Sequence, residues 1–185
     1  MLVSKKYLYL IIFAYAFSTF AQGIIVPIYA FFVQKIGGGL LETSWAIAMY
    51  SIVTGVFTIL IHRTKWSHNN RKLCLWGGWL LWLLSVGVYF IMKNVTLLYL
   101  SQILNGIGDA LSEPAFDAEF SKIVKNDLSG GWALFEGTTS IFSGIAALLG
   151  GIIATYYGFN ILINCVMAMA AISFLMIAYY TYKCE

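Results

Sequence analysis

The sequence predicts an all-α integral membrane protein of six transmembrane helices, arranged as two inverted three-helix repeats. Three observations predict it. Apolar residues make up 61% of the 185 residues and charged ones only 10%, far from a soluble balance. Apolar stretches of about 20 residues recur along the whole chain, each enough to cross a hydrocarbon core about 30 Å thick. And three residues recur at one offset of 87 positions: Trp45 with Trp132, Pro27 with Pro114, and Lys35 with Lys122.

The spans read as about 7–34, 44–62, 73–92, 96–118, 131–155 and 160–182. Each must be helical, because lipid offers no partner to open backbone groups. Span one follows Lys5-Lys6 and carries Gln22-Gly23 and Pro27, points where a helix bends and frees carbonyls. Its start loosely resembles a signal peptide, with Ala14-Tyr15-Ala16 as a cleavage site. Apolar sequence runs on to Phe32, and the repeat needs this span as the partner of span four, so it is expected to be retained. Span two carries small residues on one face: Ser44, Ala48, Ser51, Gly55 and Thr58. Span three carries Trp76, Trp79 and Trp82, a stripe expected to face lipid or a neighbouring helix. Span four holds Asn105-Gly106, Pro114 and the acidic residues Asp109, Glu113 and Asp117. Span five has Gly137, Gly144, Gly151 and Gly158 at steps of seven, with Ser140, Ala147 and Ala154 between them. Small residues let helix backbones approach closely in lipid. Span six ends in Tyr179, Tyr180 and Tyr182, expected at the membrane interface.

The whole chain, 1–185, is one transmembrane domain, with repeat one at about 1–94 and repeat two at about 95–185. At an offset of 89, Ser51-Ile52 and Gly55 match Ser140-Ile141 and Gly144, which a two-residue insertion in span five explains. Spans three and six show little similarity. Because each unit has an odd number of spans, the second must be inverted relative to the first, a construction of secondary transporters. With the N-terminus cytoplasmic, Lys5, Lys6, Arg63, Lys65, Arg71, Lys72, Lys122, Lys125 and Lys183 fall inside, and only Lys35 and Lys93 outside. This bias predicts a multi-pass protein of the cell membrane with both termini cytoplasmic. The net charge of +3 is that bias rather than a nucleic-acid surface.

Acidic residues inside spans are costly and mark function by default. Asp109, Glu113 and Asp117 follow one another at steps of four, one helical face, and Glu136 lies in span five. No basic residue lies within a span. Asp109, Glu113 and Glu136 are therefore the candidates for proton coupling or for binding a cationic substrate. Gln22, Gln102, Asn105, Tyr29, Tyr50 and Trp132 are candidate cavity-lining residues. Asp117, at the membrane boundary, is a candidate gate partner for Arg71 and Lys72. Cys74, Cys165 and Cys184 suggest no disulfide, and no spacing suggests a metal or a cofactor. Both histidines, His62 and His68, fall at or beyond the end of span two, in the basic loop. With no paired catalytic constellation at membrane depth, an enzyme is not expected.

Several of these segments resemble the major facilitator superfamily. The loop from His62 to Leu73 sits where that family has the basic motif Gly-x-x-x-Asp-Arg-x-Gly-Arg-Arg/Lys. Arg71-Lys72 matches its end, while the glycines and the aspartate are missing. Gln102 to Ala110 resembles the fourth-helix pattern Arg-x-x-Gln-Gly-x-Gly-x-Ala, with Gln102 in place of the arginine. Gly150-Gly151 and Gly158-Phe159 resemble the passage from span five to span six, without the proline of the antiporter motif. The resemblance covers essentially the whole chain and implies one six-span half of a twelve-span fold. It implies a secondary active transporter of a small molecule, working by alternating access. Completing the fold would take a second copy, as a parallel homodimer with Ser51, Gly55, Gly137, Gly144 and Gly151 along its seam. The rival readings are a non-transporting assembly or scaffold protein and a fragment of a twelve-span transporter.

Overall fold

The computed structural model describes residues 5–183 and is all-helical among them. Cys184 lies outside the described residues. The first helix, α1 (Lys5–Ile25), gives way to a 3-10 turn at Val26–Ile28 and restarts as α2 (Tyr29–Lys35). Pro27 causes the change: it has no N–H for the carbonyl one turn back, and the chain tightens until Tyr29 N–H bonds Val26 O. The bend expected in span one is therefore present. Gly37, at φ +86°, turns the chain toward α3 (Leu40–His62). There the Glu42 carboxylate accepts the Gly39 N–H at 2.7 Å, satisfying a helix-start donor.

A short helix α4 (Lys65–Asn69) leads to α5 (Arg71–Val88), α6 (Val95–Ile123), α7 (Leu128–Tyr156) and α8 (Phe159–Lys183). Asn94 caps α6 by accepting the Leu97 N–H, and Asp127 caps α7 by accepting the Gly130 N–H. Gly158, at φ +82°, ends α7; its N–H and that of Tyr157 both bond Ile153 O.

Among the described residues, four segments are long and apolar enough to cross a membrane: Tyr7–Lys35, Leu40–His62, Leu128–Tyr156 and Phe159–Lys183. The remaining long helices, α5 and α6, differ for a physical reason. Helix α5 has 18 residues and starts with Arg71-Lys72, and α6 carries Asp109, Glu113 and Asp117. Both bury many side chains against protein, so they need not be as apolar as a lipid-facing helix.

Packing divides into two triplets. Helix α6 lies between α3 and α5; α1 lies between α7 and α8; α5 and α8 join the triplets. Trp79 Nε1 donates to Ser173 Oγ at 2.9 Å, and Ser173 Oγ donates to Ala14 O at 2.6 Å, which ties α5, α8 and α1 together in the core. Tyr180 turns inward as well, 3% exposed and edge-on to Tyr7. It thus departs from the interfacial belt expected of it, whereas Tyr179 and Tyr182 are exposed.

Glycine allows the close crossings. A Cβ on Gly78 would stand 2.5 Å from Gly108 O and from Ser112 Cβ, whereas one on Gly77 would meet nothing within 4 Å. Gly78→Ala is therefore expected to cost about 1–3 kcal/mol, the usual range for overpacking. Gly77→Ala should be neutral or mildly stabilising in the same thermal unfolding assay in detergent, since helix propensity favours alanine where there is room; equal behaviour of the two variants would disprove this packing. Gly23, Gly106 and Gly150 make comparable approaches to α7, α3 and α1. The seam glycines behave differently. A Cβ on Gly55, Gly137, Gly144 or Gly151 would find nothing within 4 Å, and Ser51 and Ser140 are exposed. The seams lie on the outer faces of α3 and α7, and the crossings inside the chain rest on other glycines.

Candidate functional site

Helix α6 presents Gln102, Asn105, Asp109 and Glu113 along one face, since steps of three and four return to the same side. The face borders two adjoining cavities. One, of about 270 Å³, is lined by Tyr15, Ser18, Thr19 and Gln22 of α1, Tyr50 of α3, and Trp79 and Trp82 of α5. Asp109, Ser112 and Glu113 of α6 complete it. The other, of about 320 Å³, lies toward the N-terminal end of α6 and takes Tyr29, Ser85, Tyr89, Gln102 and Asn105 among its walls. Gln22, Tyr50 and Trp82 border both, so they form the partition between an acidic and a neutral chamber.

Each acid is held by a phenol from another helix. Tyr50 Oη donates to Asp109 Oδ2 at 2.6 Å, and Tyr15 Oη donates to Glu113 Oε1 at 2.7 Å. Among the described residues, no Lys, Arg or His lines either chamber. A phenol is a neutral donor, so it supports a carboxylate without cancelling its charge. In the neutral chamber Gln102 Nε2 donates to Tyr29 Oη at 2.9 Å. Asn105 Oδ1 is buried and has no donor among the described residues.

Pro114 sits inside α6 without interrupting it. Lacking an N–H, it leaves the Ala110 carbonyl without its helical donor. His62 fills the gap, its Nε2 lying 3.0 Å from Ala110 O. A carbonyl only accepts, so His62 carries a proton on Nε2. His62 is thus the last residue of α3, not a loop residue, and it braces α6 one step beyond Asp109.

A model of the family described as Major Facilitator Superfamily matches residues 11–183. The chain belongs to the major facilitator superfamily. Members of this superfamily are transporters, so the apolar helices and acid-lined chambers belong to a membrane protein of a transport family. No curated relative matches the chain.

Within this major facilitator chain, the structure gathers Gln22, Tyr29, Tyr50, Gln102, Asn105, Asp109 and Glu113 around the two chambers. It places two other candidates elsewhere. Trp132 packs against Phe120 and Phe135, at 4.9 and 5.5 Å between ring centroids, in an aromatic cluster with Phe116. Glu136 is exposed on α7 and lines neither chamber. It lies close enough to Asp117 for the two charges to repel. Arg71 and Lys72 open α5 and are half-buried, and the exposed Asp117 lies at the same end of the antiparallel α5–α6 pair. Beside that end Lys122 pairs with Glu119 at 2.6 Å. Of the tryptophan stripe, Trp79 and Trp82 are each 4% exposed and face the acidic chamber rather than lipid; Trp76 is partly exposed. Tyr15, Ser18 and Thr19 were not singled out in the sequence. Their spacing relative to Gln22, at steps of three and four, is the signal that could have found them.

Proposed function

We propose that this chain is a six-span half of a secondary active transporter, moving a small molecule by alternating access. The observation that carries the reading is the pair of adjoining chambers along α6, with Asp109 and Glu113 and no basic residue in either. Coupling is assigned to those two acids, because Glu136 lies outside both chambers. The chambers also favour transport over a scaffold role, which needs no cavity acids.

Packing supports the inverted repeat. Exchanging α1 with α6, α3 with α7, and α5 with α8 carries the pairs α1–α7 and α1–α8 onto α6–α3 and α6–α5, and leaves α5–α8 in place. A second six-span unit would complete the transport path. We assign it to a second, parallel copy of this chain, meeting the first along the outer small-residue faces of α3 and α7. The distribution of lysine and arginine supports a cell-membrane protein with both termini, the His62–Arg71 segment and the Lys122–Lys125 segment on the cytoplasmic side. Arg71, Lys72 and Asp117 would then form the cytoplasmic gate.

The test uses purified protein in liposomes that contain a pH-sensitive dye. A panel of organic cations, anions and neutral solutes is added outside under an imposed proton gradient. Saturable, solute-dependent proton movement that is absent from empty liposomes is expected. Failure of every solute to move, with no proton movement, overturns the transport reading.

A further inference from the structure

We infer that the two chambers form one divided site for an organic cation, its charged end at Asp109 and Glu113 and a hydrogen-bond donor on its neutral end at Asn105. This rests on the transport reading and names its substrate class. Three independent features support it.

The first is size. Chambers of about 270 and 320 Å³ are far larger than a proton relay requires, given that one water takes about 30 Å³ of liquid volume. The second is charge and wall chemistry. Two carboxylates face a chamber with no side-chain cation, and Trp79, Trp82, Tyr15 and Tyr50 surround them. Aromatic faces attract a cation, the more so where water is displaced. A quaternary or substituted ammonium satisfies both walls and acids, whereas an anion would be repelled by both. The third is the orphan acceptor. Asn105 Oδ1 is buried without a donor, in a residue that lines the neutral chamber. It lies one helical turn from Asp109, about 6 Å along the axis. A turn of the amide offers that oxygen to a hydroxyl or amine at the far end of the same solute.

The experiment is equilibrium binding to the full chain in lipid nanodiscs, with three probes. Benzyltrimethylammonium carries the charge; neopentylbenzene is its neutral isostere, with carbon replacing nitrogen; 4-(hydroxymethyl)benzyltrimethylammonium adds the donor. Saturable binding of the first and none of the second is expected. The Asp109→Asn/Glu113→Gln double variant should weaken the cation at least tenfold. The hydroxymethyl probe should bind more tightly than its parent by about threefold to tenfold, as a net hydrogen bond allows, and Asn105→Ala should remove that gain, so that the two cations bind the variant alike. Equal binding of the cation and its isostere to wild-type protein overturns the inference without any variant having to fold. Cation binding that ignores the double variant overturns it too. Flux is read separately. Selective cation binding without flux in liposomes removes the transport reading and leaves the site standing; flux of anions or neutral solutes in place of cations removes this inference and leaves transport standing.

Discussion

Asp109→Asn is expected to lower proton-driven flux by about a hundredfold, the lower end of what a positioned proton-transfer group contributes. The change keeps the size of the side chain and its ability to accept from Tyr50 Oη. It removes only the charge and the titratable proton. Downhill exchange of the same solute, which needs no proton, should survive better than uphill movement. Glu113→Gln should also impair coupling, because Glu113 shares the chamber and is held in the same way by Tyr15. Glu136→Gln should leave flux within about twofold, since its site is an exposed face of α7 away from both chambers; effects under 0.5 kcal/mol are the norm for such surface changes. Proton-driven uptake retained in Asp109→Asn, measured in dye-loaded liposomes, would remove that residue from the coupling path.

Gly144→Leu should convert a dimer to a monomer while leaving the fold intact. The leucine would project from the outer face of α7, where a Cβ meets nothing within 4 Å in the same chain. It would also hold apart any backbone that approaches along the face made by Gly137, Ser140, Gly144 and Gly151. Gly55→Leu should do the same from α3. Gly150→Leu is the contrasting control, because a Cβ there collides with the Ile24 backbone, so that variant should lose the fold itself. Light scattering coupled to a sizing column distinguishes the three. A Gly144→Leu or Gly55→Leu variant that still elutes as a dimer would disprove the seam.

The acid ladder on α6, the bend at Pro27 and the two small-residue seams were legible in the sequence because each is local. Spacing along one helix decides which residues share a face, and proline dictates its own backbone. What sequence could not resolve was which helix meets which. Trp79 and Trp82 look like any lipid-facing aromatics until α1 and α6 are packed against them. The Tyr15 hydroxyl has no visible partner in an apolar run until Glu113 arrives from 98 residues away. The glycines are the clearest case. Gly78 and Gly144 are alike in a sequence, yet one sits at a crossing inside the chain and the other on an open face. Trp132 went the other way: the sequence offered it as a cavity candidate, and a cluster of phenylalanines claimed it for the core.

The brace between His62 and the carbonyl freed by Pro114 gives the molecule a built-in spectroscopic reporter. The imidazole is bound to a single backbone oxygen on the acid-bearing helix, yet belongs to another helix. Any rearrangement that slides α3 along α6, or bends α6 at the proline, must change that bond. A nitrogen-15 label on the imidazole rings would yield one pair of signals from His68, exposed on α4, and one pair from His62 that responds to any such rearrangement. The resting state and a ligand-loaded state could thus be told apart in a membrane without adding a dye or a spin label.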